Sequence, residues 1–307
     1  MLGVVALALP AALVRLAQFS GTSASVLVVG AAPVLLWVGW PVLVVAVLRR
    51  RAVLVAGAAA VAAVHLLAVV QAGAPAIASR PAAGPELRVM VHNVFVLNED
   101  VDALAAQVRE QDPDLLVLVE LTGETSDALA ERGAYDGLPY GLDTTDRGEG
   151  VLLRSRHPLT RQDVLVLGDR RMPTAVLRAP GAADVRLVGV HVAAPLGSRL
   201  PLWHEGLEGL ADVARDADGP VVLAGDFNAD TAHRPFADLL GTGLVDAHDA
   251  VDRRWARTWP AWPLPRLLLL DHVLVGEDVE VRSVDEGEAA GSDHLAVVAD
   301  LRLPAAG

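Results

Sequence analysis

VVLAGDFNAD, residues 221–230, is the stretch whose reading decides the rest. Val221 to Ala224 and a glycine read as a buried strand, after which Asp226, Asn228 and Asp230 crowd together. Oxygen-bearing side chains are costly at the tip of a buried strand unless they are paired or used. Strand ends are also where a rigid scaffold displays reactive groups on its loops. A spacing of two puts Asp226 and Asn228 on one side of an extended strand tip, facing one ligand together. Asp230 reads as a solvated or turn-capping carboxylate.

The same pattern recurs beyond Pro85, where short apolar runs alternate with turns and a few helices. ELRVMVHNV is a strand ending at Asn93, and PDLLVLVE is one ending at Glu120. GEGVLLRS and TAVLRAP read as further strands, and DVRLVGVHV carries His191 near its end. RLLLLDHVLV reads as one strand with Asp271 inside it, and GSDHLAVVADLRL as a loop bearing Asp293 and His294 before a final strand. VDALAAQVREQ has helical spacing, with Val101, Leu104, Ala105 and Val108 on one face. LWHEGLEGLADVARDA is a second helix, and a short one surrounds TAHRPFADLL. Carboxylates, amides and imidazoles thus gather at strand ends. Hard oxygen ligands suit Mg²⁺, Mn²⁺ or Ca²⁺, and such an ion polarises a phosphoryl oxygen and activates water.

From Met1 to Arg80 there is no acidic residue. Three apolar stretches lie there, roughly 2–19, 24–48 and 52–70. A membrane-spanning helix needs ~20 apolar residues, so the second and third qualify. The first is marginal, because Arg15 costs ~2.5–3.5 kcal/mol at a helix centre. A cleaved signal peptide is the competing reading, but the extreme N-terminus has no positive charge. His65 reads as a tolerated polar residue facing a neighbouring helix. Arg49, Arg50 and Arg51 fill the turn between the second and third stretches, and the positive-inside rule places that turn in the cytoplasm. Everything after the third span then lies outside. The division expected is a transmembrane region over 1–72, a linker rich in Ala, Pro and Gly over 73–86, and a catalytic domain over 87–307.

All acidic residues fall beyond Arg80, so the second part is more negative than the chain's net charge of −13. Such a domain repels a polyanion, which disfavours nucleic acid as a partner. The chain has no cysteine, which excludes thiol catalysis and cysteine-based zinc sites.

Six pieces occur in one order: Asn93, Glu120 in LVLVELTGE, GVLLRSRHPL, His191 in GVHV, Asp226 and Asn228 in GDFNAD, and the pair LDHVLV with GSDHLAV. Together they resemble the endonuclease/exonuclease/phosphatase superfamily, the metal-dependent phosphohydrolases related to DNase I, sphingomyelinases and inositol-polyphosphate phosphatases. The resemblance runs from about Leu87 to Leu303. It implies a four-layer α/β sandwich, two mixed β-sheets flanked by helices, behind the transmembrane helical region. It implies Glu120 as principal ligand of Mg²⁺ or Mn²⁺, with Asn93 and Asp293 completing the metal site, some through water. Asp226 resembles the residue that orients or deprotonates the attacking water, and Asn228 the amide that holds the scissile phosphate. His191 and His294 resemble the imidazoles that bond the phosphoryl oxygens, and Asp271 the carboxylate that fixes the His294 tautomer.

The layout of spans plus an external domain resembles the VanJ-type glycopeptide-resistance proteins, which implies lipid-linked phosphates such as undecaprenyl pyrophosphate as substrates, outside the cell membrane. An extracellular nuclease or phosphodiesterase is the alternative, and a catalytically dead membrane scaffold or receptor is the alternative of another class. His272 reads as structural. His92, His157, His204, His233 and His248 read as bland, and Arg147 as a surface residue. Trp255, Trp259 and Trp262 read either as a lipid-facing entrance or as ordinary packing.

Overall fold

The computed structural model describes residues 1–72, 79–262 and 265–307, with the side chains of residues 71–72 left aside. Helices α1 (Leu2–Leu16), α2 (Ser23–Leu35), α3 (Gly39–Leu48) and α4 (Ala52–Ala72) come first. A single 3-10 turn, Leu36–Val38, joins α2 to α3, so Ser23–Leu48 is one apolar run of 26 residues and Ala52–Val70 a second of 19. Both are long and apolar enough to cross a membrane. Helix α1, at 15 residues, is shorter than that, so two of the three expected spans meet the length requirement.

These helices invert the pattern of a soluble bundle. Leu7, Leu13, Val44, Leu48, Val53 and Val70 are exposed, while Ala8, Ala12 and Ala32 pack inside with Leu36 and Val61. Small residues let the helices approach closely, as Gly39 does against Val61. His65 faces its neighbours as expected: Trp40 Nε1 donates to Nδ1 at 3.0 Å, and Nε2 lies 3.0 Å from the Pro33 carbonyl.

The rest of the chain runs β1 (Glu86–Asn93), α5 (Val101–Gln111), β2 (Leu115–Leu121), α6 (Gly123–Glu131), β3 (Tyr140–Asp143), β4 (Gly150–Ser155), β5 (Leu159–Leu167), β6 (Arg170–Leu177) and β7 (Val185–His191). It continues α7 (Leu200–Arg215), β8 (Val221–Asp226), α8 (Arg234–Leu240), β9 (Leu244–Asp246), α9 (Ala247–Ala250), β10 (Asp271–Gly276), β11 (Glu280–Glu286) and β12 (Val297–Arg302). One sheet has the order β11-β12-β1-β2-β4-β3, the other β5-β6-β7-β8-β10-β9. Each is mixed: β1 and β2 are parallel, as are β7 and β8, and the other pairs are antiparallel.

The sheets pack face to face. Val89, Val91, Val117 and Leu153 of one meet Leu187, Val222, Ala224 and Val273 of the other. The outer face of the first sheet is covered by Leu104, Val108 and Leu129, from α5 and α6, and that of the second by Trp203, Leu207 and Phe236, from α7 and α8. This is the expected four-layer sandwich. Central strands are covered on both faces, which is why VVLAG and LLVLV read as unbroken apolar runs.

RLLLLDHVLV is not one strand. β10 begins only at Asp271, and Leu268 and Leu270 pack instead against Ala31 of α2. The run is apolar because a helix of the N-terminal bundle covers it, not because it lies in a sheet. Of the expected linker, residues 73–78 lie outside the described residues. The remainder is tied down, with Arg80 N–H donating to Glu277 O at 3.0 Å and Gly84 N–H to Leu303 O at 2.9 Å.

Candidate active site

The two parallel pairs end side by side, and their ends make the site. In register, His191 pairs with Asp226 across β7 and β8, and Asp226 pairs with Asp271 across β8 and β10. Three chemically active side chains therefore stand in one row. Asn93 closes β1 on the facing sheet, and Glu120 sits beside it on β2.

Local strain aims these groups. The β2–β4 register slips between Val119 and Leu121, and Glu120 takes φ 55° at that bulge. A bulge re-aims one side chain, and a non-glycine residue in the left-handed region persists only when its surroundings fix it. Asn228 corrects the expected geometry. It lies past the end of β8 with φ 49°, so it is not part of an extended tip. Its backbone N–H donates to Asp226 Oδ1 at 2.7 Å, its Nδ2 donates to Val192 O at 3.0 Å, and Phe227 between them is buried in the core. Gly225 makes the row possible. At φ 153°, a Cβ there would lie 1.9 Å from Val190 O of the neighbouring strand.

Asn93 bridges the two sheets. Its Nδ2 donates to Glu120 Oε1 and to Asp226 Oδ2, both at 3.0 Å, while its Oδ1 accepts from Phe95 N–H at 3.0 Å. The amide thus spaces two carboxylates, and its oxygen is already engaged. His191 Nε2 lies 3.8 Å from Glu120 Oε1. Oxygen and nitrogen ligand atoms of Glu120, His191 and Asp226 lie within 4.8 Å of one another, as do those of Asp226, Asp271 and His294. Asp226 belongs to both groups. Asp293 lines the same cavity, and Trp259 Nε1 donates to its Oδ2 at 3.0 Å. Ser292 Oγ donates to Asn93 O at 2.6 Å and accepts His294 N–H at 3.0 Å, which ties the last loop to β1.

The electrostatics separate the groups. Burial, then the neighbouring Asp271 charge, pushes the Asp226 carboxyl up to about 7. Burial alone lowers His294, but Asp271 at 2.8 Å, with Asp226 and Asp293, outweighs it and raises the imidazole to about 10. Burial opposes ionisation of Asp271, yet the His294 charge and hydrogen bond win and lower it. Burial, then the Arg170 and His294 charges, hold His191 neutral, well below the ordinary range. One carboxyl poised near neutrality, one lasting cation and one neutral imidazole therefore share a cavity.

That cavity, about 200 Å³, has an unexpected wall. Val26 and Leu27 of α2 line it, with Phe95, Leu196, Leu268 and Leu270. Arg170 also reaches it, and its guanidinium is held 2.7 Å from Glu149. None of these carried a signal in the sequence, because their role depends on α2 lying against the sandwich. Trp259 lines the cavity, while Trp255 and Trp262 are more than half exposed.

Several residues read as bland have firm positions. His233 Nε2 lies 2.9 Å from the Val26 carbonyl and Nδ1 accepts Asp230 N–H at 2.9 Å, so this ring clips α2 to the loop after Asn228. Asp230 is buried, not solvated, though it does cap its turn by accepting Ala232 N–H at 2.9 Å. His272 is structural: Nδ1 faces Asp246 at 2.7 Å and Nε2 faces Ala229 O at 2.9 Å, so both ring nitrogens meet acceptors. The His272 ring therefore has no lone pair to offer a cation. Arg147 is a surface residue beside Asp146.

The model of the Endonuclease/Exonuclease/phosphatase family matches residues 90–294. Among solved structures, an endonuclease/exonuclease/phosphatase from Beutenbergia cavernae is 24% identical, with a TM-score of 0.58 over 71% of this chain and 72% of that one. TDP2 from D. rerio, complexed with single strand DNA product, is 16% identical, with a TM-score of 0.60 over 71% of this chain and 99% of that one. An endonuclease/exonuclease/phosphatase family protein from Leptotrichia buccalis is 17% identical, with a TM-score of 0.56 over 71% of this chain and all of the other. These likenesses show the fold. No curated protein matches at a significant level.

Proposed function

The chain belongs to the Endonuclease/Exonuclease/phosphatase family, and from that premise we propose that it is a membrane-anchored, divalent-metal-dependent phosphohydrolase of lipid-linked phosphates or pyrophosphates. One observation supports the lipid above others. Val26 and Leu27, from the 26-residue apolar helical run, form a wall of the cavity that holds Asp226 and His294. A soluble phosphoester gains nothing from that wall. A polyprenyl or acyl chain lying along α2 buries apolar surface there.

The donor set fits a hard cation. Glu120, with part of its carboxylate open to the cavity, and Asp293 are the oxygen ligands we assign to Mg²⁺ or Mn²⁺, and Asn93 holds the Glu120 carboxylate in place. Bound there, the ion supplies Lewis-acid polarisation of a phosphoryl oxygen. The chain's own residues do the rest. Asp226 accepts a proton from the attacking water as the water oxygen bonds to phosphorus and the leaving-group oxygen departs. His294, held cationic by Asp271, and His191 donate hydrogen bonds to the phosphoryl oxygens as charge grows on them. Asn228, whose Nδ2 keeps one N–H on Val192 O, turns the other from its long contact with Asp226 to the phosphate.

The anchor is residues 1–72 and the catalytic domain residues 87–307, joined by a segment over 73–86. The domain lies outside the membrane. Supporting this, Ser23 Oγ accepts from Gly197 N–H of the sandwich at 2.8 Å, whereas Arg49 to Arg51 lie beyond the far end of the α2–α3 run, roughly 40 Å away. Basic residues on the side opposite the domain favour that side as the cytoplasmic one.

A nucleic-acid phosphodiester is the competing substrate, since one fold neighbour is a structure with single strand DNA product. The acidic sandwich opposes it. The inactive-scaffold reading is opposed by the complete set of site residues. Leu27→Ser tests the wall. KM for a polyprenyl pyrophosphate should rise roughly tenfold with little change for a short soluble phosphoester. Equal effects on both substrates would remove the lipid from the proposal.

A further inference from the structure

A second cavity, of about 160 Å³, lies between the end of α1 and the sandwich. Arg15, Arg254 and Arg257 line it around a single carboxylate, Asp230. That carboxylate is already engaged, accepting Ala232 N–H and lying 3.1 Å from the His233 ring. Arg254 also reaches Asp249 and Asp252, both at 3.4 Å, on its outer side. Arg257 has no carboxylate within ion-pair distance among the described residues. Its Nη1 donates to the carbonyls of Arg254 and Ala256, and its buried Nε has no acceptor. Burial lowers its pKa against the pull of Asp230, the mark of a desolvated cation short of negative charge. The helices of the bundle contribute apolar lining as well, Pro33 of α2 and Ala68 of α4, beside Leu269.

We infer that this cavity binds a phosphate group, with Arg257 and Arg254 as its principal donors. Guanidinium groups pair with phosphate through two parallel N–H bonds. The side that faces the apolar helices suits the chains of an anionic lipid, so a membrane lipid headgroup is the expected source, and free phosphate is the other. The site is separate from hydrolysis, since Asp230 and His233 stand between the two cavities. Only the lipid as source rests on the helices lying in a membrane. Filling the cavity ties α1 to the sandwich.

The test uses the full chain in dodecyl maltoside, melted with dioleoylphosphatidylglycerol, with dioleoylglycerol, which lacks phosphate, and with inorganic phosphate. Phosphatidylglycerol should raise Tm by about 3 °C, and dioleoylglycerol should not. The shift should persist in His294→Ala. Arg257→Gln and Arg254→Gln should each weaken apparent affinity roughly tenfold, and Arg257→Lys should weaken it less. The ligand-free melt of each variant checks its fold. The same Arg257-dependent shift with inorganic phosphate alone supports the anion site and makes free phosphate its ligand. No shift with either phosphate source, or a shift undiminished in folded Arg257→Gln and Arg254→Gln, overturns the inference.

Discussion

His294 Nδ1 lies 2.8 Å from Asp271 Oδ2, and both side chains are buried. The carboxylate fixes which ring nitrogen faces the cavity and holds the ring cationic. Asp271→Asn keeps the shape and removes the charge. It should cut kcat by ~10²–10⁴ with a small effect on KM. The alkaline limb of the pH profile should also move down from about 10. An unchanged alkaline limb would remove Asp271 from this role.

Asp226 acts only when ionised, so kcat/KM should rise with pH through about 7, or lower with a cation bound nearby. It should fall again as His294 loses its proton through about 10. Asn93 donates to Asp226 and so favours the ionised form. Asn93→Ala should therefore move the acid limb upward, by on the order of one pH unit. A downward move would show that Asn93 acts otherwise.

Gly225 is a backbone requirement, because a Cβ there meets Val190 O at 1.9 Å. Gly225→Ala should destabilise the protein by about 3 kcal/mol or more through strain between β7 and β8. Thermal denaturation of the full chain in detergent measures it. A melt within a degree of the parent would contradict the close approach.

His248 lies between Asp246 and Glu286, 3.4 Å from each. Burial lowers its pKa, but the two carboxylates outweigh that and raise it to about 9. The folded state thus binds this proton more tightly than the unfolded chain, whose histidine titrates near ~6.5. The stabilisation is complete below ~6.5 and is lost as pH rises through about 9. In denaturant melts His248 should contribute a loss on the order of 2–3 kcal/mol across that window, beside that of His294, and His248→Asn should remove the His248 share. A variant with the same slope would place the proton elsewhere.

The sequence was most legible where a residue's burial and its chemistry coincide on one strand. Asn93, Glu120, His191 and Asp226 each follow an apolar run, and the structure brings the last three to one cavity with Asn93 bonded behind Glu120 and Asp226. The edge strands were not legible. β5 is half-exposed and mixed in character, and β3 has only four residues, so neither leaves a period-two signal. LLLL before Asp271 misled because burial against a helix and burial in a sheet leave the same apolar run. The cavity's apolar wall and the clip from His233 to Val26 depend on contacts more than two hundred residues apart, which no local pattern encodes.

The most direct measurement is phosphate release by the full chain in detergent, with Mg²⁺ or Mn²⁺. Undecaprenyl pyrophosphate and plasmid DNA would be assayed side by side, with EDTA and Asp226→Ala as controls. Metal-dependent release from the lipid is expected, abolished by EDTA and by Asp226→Ala, with the DNA intact. Nicked DNA beside untouched lipid would contradict it.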